Sequence, residues 1–406
     1  MVLDWMTRDG KLLLTTRGVR SFGYGFLSIM LAVYLHLIGF SDILIGAVLS
    51  ATLLGSAAFT IFSSIYADRI GRRRMLLILT FLMATSGIIF AATDNRVALF
   101  IAAIIGTLSP TGAEIGSFLP MEQAILPQTT PEEKRNSAFA AYNTVGTLSS
   151  AAGTLFGLLA TFLQSLYGFG ELELYHALFL VYSALALASA ALYMAVSSKA
   201  ELQKGHSDRP RKRLSPESRT IVAKLSALFG LDAFAGGFVL QAIISFWFFT
   251  RYGVSQGNLF VIFFFAQILT TISFYAAVRL ARMIGLIRTM VFTHIPSNVL
   301  LMLVPVANTF VLSLTFFLAR QAISQMDVPT RQSYTMAIFP PEERIPAAGI
   351  TSISRNVAQA TSPSLSGYAM QAISMSSPFF IAGSLKIVYD IGVYFNFRNI
   401  KPPEEK

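Results

Sequence analysis

The chain has 406 residues, of which 54% are hydrophobic and only 13% charged, with a mean hydropathy of +0.61 and a formal net charge of +10. An average soluble domain carries roughly 25% charged residues, so a water-facing globule of this length is excluded. The chain contains no cysteine, which excludes disulfide frameworks and thiolate metal sites.

The apolar residues form long runs, and a helix needs roughly 20 of them to cross a hydrocarbon layer. Spans are expected at about 18–39, 43–65, 75–93, 97–121, 137–163, 175–197, 219–249, 257–281, 287–306, 309–330, 345–371 and 377–397. This is an all-α, polytopic membrane protein of twelve transmembrane helices. Charged residues fill the stretch before the first span, where a cleaved leader would need an apolar core, so no signal peptide is expected.

Basic residues alternate with the spans. Arg8, Lys11, Arg17 and Arg20 precede span 1, Arg69, Arg72, Arg73 and Arg74 follow span 2, and Lys134 and Arg135 follow span 4. Further runs stand at the midpoint, at Arg282 and Arg288, and at Arg398 to Lys406; the opposite side holds little beyond Arg96 and Arg251. The positive-inside rule then places both termini in the cytoplasm. Topology accounts for the net charge, and no nucleic-acid partner is expected.

A polar stretch at 199–218 reads as a cytoplasmic linker between two six-helix bundles, 1–198 and 219–406. The halves echo one another. Pro120-Met121-Glu122-Gln123, followed by Pro131-Glu132-Glu133-Lys134-Arg135, returns as Pro329-Thr330-Arg331-Gln332 followed by Pro341-Glu342-Glu343-Arg344. Paired repeats are how many transporters build a central site.

Ser64-Ile65-Tyr66-Ala67-Asp68-Arg69-Ile70-Gly71-Arg72-Arg73-Arg74 lies between spans 2 and 3. It resembles the signature loop of the major facilitator superfamily, Gly-x-x-x-Asp-Arg/Lys-x-Gly with trailing basic residues. Asp68, Arg69, Gly71, Arg72, Arg73 and Arg74 match, and Ser64 stands where the pattern has glycine. Leu231 to Phe238 and Gln325 to Gln332 are similar to an uncharacterised prokaryotic branch of that superfamily. Ser362-Pro363-Ser364-Leu365-Ser366-Gly367 resembles its glycine-proline bend. The resemblance implies secondary transport, with helices 1, 4, 7 and 10 lining the cavity. It also implies a cytoplasmic gate in which Asp68 meets a helix N-terminus and the arginines pair with acids such as Glu122. Asp327 and Arg331, four apart, are expected to pair locally at that gate.

Charges inside a membrane are functional candidates by default. Counting 1.5 Å per residue puts Asp232, Arg320 and Arg355 at similar depth, with Glu114 nearer the cytoplasm beside Pro110 and Gly112, which should distort its helix. Asp232 or Glu114 is the expected proton carrier and Arg320 its partner, whereas Arg355 suits either an anionic substrate or helix-end carbonyls. Gln241 is expected at the cavity mouth, and His294 and Asn298 as interhelical bonds. No metal cluster, phosphate-binding loop or nucleophile triad is visible, so no cofactor and no enzymatic activity are expected. The leading reading is a monomer, embedded in lipid, that exports a small solute by proton coupling. Uptake of an organic anion and a nontransporting sensor are the alternatives.

Overall fold

The computed structural model describes residues 5–113, 116–131, 134–197, 214–340 and 343–400. Among these residues the regular structure is helical. The helices are α1 (Arg8–Leu37), α2 (Asp42–Ile70), α3 (Arg72–Ala92), α4 (Arg96–Ile105), α5 (Leu119–Ile125), α6 (Arg135–Tyr167), α7 (Glu171–Met194) and α8 (Pro216–Gly237). They continue with α9 (Gln241–Tyr252), α10 (Gln256–Ile284), α11 (Leu286–Leu303), α12 (Phe310–Ser324), α13 (Asp327–Ile338), α14 (Arg344–Ala372) and α15 (Ser377–Phe397).

Local chemistry sets the helix ends. Thr7, Ser41, Asn95, Ser215 and Thr309 accept backbone N–H groups as N-caps, satisfying donors that have no partner within the helix. Gly71, at φ 100°, ends α2 and starts α3 in one residue, a conformation that glycine adopts without steric cost.

Among the described residues nine helices are long and apolar enough to cross a membrane, α8 and α9 being counted together. Three expected spans are interrupted, giving the pairs α4/α5, α8/α9 and α12/α13. Joining each pair yields twelve helical elements. The interruption after α4 falls where Pro110 and Gly112 were expected to distort the helix, and its backbone is bonded: Ala242 N–H donates to Pro110 O (3.1 Å) and Ser150 Oγ to Gly112 O (2.7 Å). Irregular backbone at membrane depth survives only when satisfied in this way. Pro363, by contrast, sits inside an uninterrupted α14.

Contacts divide the chain into two compact units, Met1–Asp208 with Leu240–Phe264, and Arg209–Val239 with Phe265–Lys406. In the first, α1 packs on α6, α7 and α9, and α3 packs on α7. Small residues make this possible: a Cβ on Gly25 would collide with the carbonyl of Ser150, and one on Gly153 with the carbonyl of Phe22. In the second, α8 packs on α14 and α15, and α11 on α15. A buried apolar cluster including Val222, Phe229, Met290, Tyr334 and Tyr389 ties these helices together.

Candidate functional site

The second unit holds a buried charge cluster centred on Asp232, five residues before the end of α8. Lys386 Nζ of α15 donates to Asp232 Oδ1 at 2.6 Å, while Arg331 Nη1 of α13 (3.1 Å) and Arg355 Nη1 of α14 (3.0 Å) both donate to Oδ2. Arg331 also holds Asp327 at 2.8 Å, the local pair expected from their spacing. Asp232, Arg331, Lys386 and Asp327 are all buried, and the Arg355 side chain keeps 27% exposure. Residues assigned separately to a gate and a transport pathway thus form one hydrogen-bonded group.

The expected Asp232–Arg320 pair is not formed. Arg320 lies on α12, ahead of the α12/α13 interruption, and its Nη1 donates to Gln321 Oε1 at 2.7 Å. It is buried, its Nε has no hydrogen-bond partner, and it meets no acid within ion-pair distance among the described residues. Depth counting failed because it treated span 10 as one helix: Arg331, eleven residues further along and beyond the interruption, takes the acid instead.

A continuation of the cluster lies one turn along α15. Asp390 is bonded to His294 Nδ1 of α11 (2.8 Å) and accepts from Asn298 Nδ2 (3.1 Å). His294 and Asn298 therefore bridge helices, as expected, but Asp390 and Lys386 were missed. Their signal was present in the sequence: two opposite charges four apart within the apolar last span.

In the first unit Glu122 of α5 is fully buried. It accepts from Arg20 Nη2 (2.6 Å), Tyr142 Oη (2.6 Å), Tyr193 Oη (2.6 Å) and Thr16 Oγ1 (3.0 Å). The expected pairing of Glu122 with the signature-loop arginines is corrected accordingly: its cation comes from α1. Arg20 also stacks on Phe118, 4.2 Å from the ring centroid. Arg17 and Arg20, assigned by sequence to a cytoplasmic arm, are buried because α1 begins at Arg8.

In the signature loop, Arg69 and Arg74 are exposed, Arg72 is partly buried, and Arg73 donates to the carbonyl of Met194 at the end of α7. The Asp68 side chain and all of Glu114 lie outside the described residues. Gln241 starts α9 and donates to Ser28 Oγ of α1 at 3.2 Å. Among the described residues no group of three His, Cys, Asp or Glu is placed to hold a metal ion.

These features define a polytopic helical transporter scaffold with interrupted helices and buried ion pairs. Residues 13–324 match the family model of the Major Facilitator Superfamily; the chain belongs to that superfamily. An uncharacterized membrane protein of Saccharomyces cerevisiae is 26% identical over 418 residues, covering 95% of this chain and 93% of its own. Among solved structures, the nucleoside transporter NupG superposes with a TM-score of 0.72 at 15% identity, over 96% of this chain and 100% of that one. A D-xylose–proton symporter gives 0.74 at 15%, over 97% and 98%. A human organic anion transporter gives 0.61 at 14%, over 95% and 99%. At these identities the structural likeness speaks for the fold.

Proposed function

We propose that this chain is a secondary active transporter that moves a small organic anion across the cell membrane by alternating access, coupled to protons. One observation carries the substrate class: Arg320 is a buried guanidinium that, among the described residues, makes a neutral hydrogen bond to Gln321 and has no acid within ion-pair distance. An isolated buried charge is costly, and a carboxylate or phosphate group on the solute offsets that cost. Arg355, the most exposed cation of the Asp232 cluster, is a second anchor.

Asp232, expected from the sequence to carry the proton, acts in this reading as resident counter-ion to three cations. Proton coupling then falls to another group. The chain works as a monomer in lipid, in two six-helix halves, 1–198 and 219–406, joined by 199–218. Both termini are cytoplasmic, and Asp68, Arg69, Gly71, Arg72, Arg73 and Arg74 act at the cytoplasmic gate.

Proteoliposomes holding the purified protein test this with labelled succinate, benzoate and glucose 6-phosphate against neutral glucose. Protein-dependent flux of an anion, lost in Arg320→Gln, is expected. Equal glucose flux through the wild type and Arg320→Gln, with no anion moved, refutes the substrate class. The direction in which an imposed pH gradient drives the anion separates export by exchange from uptake together with a proton.

A further inference from the structure

The Asp232 group and its extension along α15 contain three acids, Asp232, Asp327 and Asp390, and three permanent or near-permanent cations, Arg331, Arg355 and Lys386. Their charges cancel. One further ionisable group is built into the same bonded set, the imidazole of His294, whose Nδ1 lies 2.8 Å from Asp390 Oδ1. Imidazole is the side chain whose charge ordinarily changes nearest neutral pH. Every other member serves at least one ion pair that protonation or deprotonation would break, whereas the His294–Asp390 contact survives in either charge state as a hydrogen bond.

We infer that the His294–Asp390 pair is a proton-binding site of this protein, and that the proton it takes up is felt at Asp232 through Lys386. This rests on the proton-coupled reading above and supplies the group that reading requires. Three features support it.

The pair is enclosed: His294, Asp390, Asn298 and Ser297 are all buried, so the bound proton is not simply exchanged with bulk water at a surface. Hydrogen-bonding capacity is also left over on the same helix: among the described residues Asn298 Oδ1 and Ser297 Oγ are buried without a hydrogen-bond partner, and each can accept a bond from a water or an N–H donor. Such atoms give an incoming proton a polar route where a purely structural His–Asp bond needs none.

The third feature is the wiring. Lys386 and Asp390 stand four apart on α15, on one face of the helix, and Lys386 donates to Asp232 at 2.6 Å. With His294 neutral, Asp390 carries a full negative charge one turn from the Lys386 ammonium. Once the pair holds a proton, that charge is cancelled and Lys386 is drawn wholly to Asp232. The cluster then carries one net positive charge, which an entering anion balances. Proton and anion binding thereby reinforce one another, as linkage requires of two ligands that favour the same state. The charged and ionisable buried groups on the helices packed around the pair are Asp232 from α8, Arg320 from α12, Arg331 and Asp327 from α13, Arg355 from α14, and Lys386 and Tyr389 from α15, the Tyr389 ring standing edge-on to the imidazole with centroids 5.9 Å apart. All enter the balance above except Arg320, the proposed anion anchor outside the bonded group, and Tyr389, which contributes no charge as a phenol.

The chain has four histidines, so side-chain nitrogen NMR of the full-length, histidine-labelled protein in lipid nanodiscs resolves His294, assigned by its disappearance in His294→Gln. Protons are the only ligand needed. The expected result is a His294 signal that changes with pH, with that change displaced along the pH axis in Asp390→Asn. A displacement is also expected in Lys386→Gln, which leaves both members of the pair in place and serves if Asp390→Asn does not fold. A His294 signal that does not change with pH overturns the site. A midpoint unmoved by Lys386→Gln overturns the link to Asp232. Either failure leaves the anion reading intact, because no solute is present. Conversely, failure of the flux assay removes the transport reading without touching the titration.

Discussion

Asp232→Asn removes one charge and almost no volume, so it isolates the electrostatic part of the cluster. Asparagine keeps one carbonyl oxygen, but it brings an amide N–H₂ to a site where three cations already donate. Lys386 and Arg355 lose the only acid within ion-pair distance of them among the described residues, and Arg331 retains Asp327. Breaking a buried pair from one side costs about 3–5 kcal/mol, and two of the three cations are left in that condition.

Lys386→Met is different. Asp232 then keeps Arg331 at 3.1 Å and Arg355 at 3.0 Å. It loses one charge-assisted bond, worth about 1.5–3 kcal/mol, offset by no longer burying an ammonium group. The acid substitution should therefore cost more than the lysine substitution by at least about 1.4 kcal/mol, a tenfold difference in the unfolding equilibrium. The double variant should recover part of the Asp232→Asn loss, since neighbouring sites couple by about 0.5–3 kcal/mol. Denaturant unfolding in mixed micelles, followed by far-ultraviolet circular dichroism, measures all three. Equal costs, or a larger cost for Lys386→Met, would refute the hub geometry.

Other consequences follow from single contacts. In the first unit, Glu122→Gln should destabilise by about 3 kcal/mol or more, and the double variant Arg20→Met/Glu122→Gln by less than the sum of its singles; additive thermal shifts would argue against a buried ion pair. Gly25→Ala drives a Cβ into the Ser150 carbonyl and should cost about 1–3 kcal/mol, whereas Gly349→Ala, with nothing within 4 Å, should be neutral or stabilising by up to about 1 kcal/mol; reversal of that order in thermal melts would contradict the α1/α6 packing. The natural absence of cysteine allows single-cysteine labelling in intact cells: Asn308→Cys should react with an impermeant maleimide from outside and Asn399→Cys should not, and the opposite pattern would invert the proposed orientation.

Hydropathy made the fold legible because a membrane permits so few solutions: runs of apolar residues can only be helices, and their spacing sets their number. The interruption after α4 was legible in part, since Pro110 and Gly112 announce it. Those between α8 and α9 and between α12 and α13 were not. Gly236-Gly237 hints at the first, but nothing in Gln325-Met326 marks a helix end. Missing that break moved Arg331 from the charge cluster to a separate gate and put Arg320 in its place. Depth along a helix can be counted from sequence, but the direction a side chain faces turns by 100° per residue, so errors of one or two residues select a different neighbour. Arg17 and Arg20 were misplaced for a simpler reason. Positive residues next to an apolar run satisfy the positive-inside rule whether they end the loop or begin the helix, and only burial distinguishes the two.

The half-repeat gains a physical meaning once both clusters are described. Glu122 and Arg331 occupy matching places in the echoed strings Pro-Met-Glu-Gln and Pro-Thr-Arg-Gln. Each is buried just after a helix interruption, on α5 and on α13 respectively, and each is held by an opposite charge from the first long helix of its own half: Arg20 on α1, Asp232 on α8. The pair is kept while its polarity is reversed. An ion pair between these two helices therefore belongs to the repeated scaffold, and the acid–base order within it does not. What distinguishes the halves is the surroundings. Around Glu122 the remaining partners are the hydroxyls of Tyr142, Tyr193 and Thr16, none of which carries charge. Around Asp232 they are Arg355 and Lys386, with Asp390 and His294 one turn beyond. Arg331 also pairs with Asp327, so it keeps an acid partner whatever Asp232 does. The same ion pair is thus surrounded by neutral hydroxyls in one half and by further charges in the other.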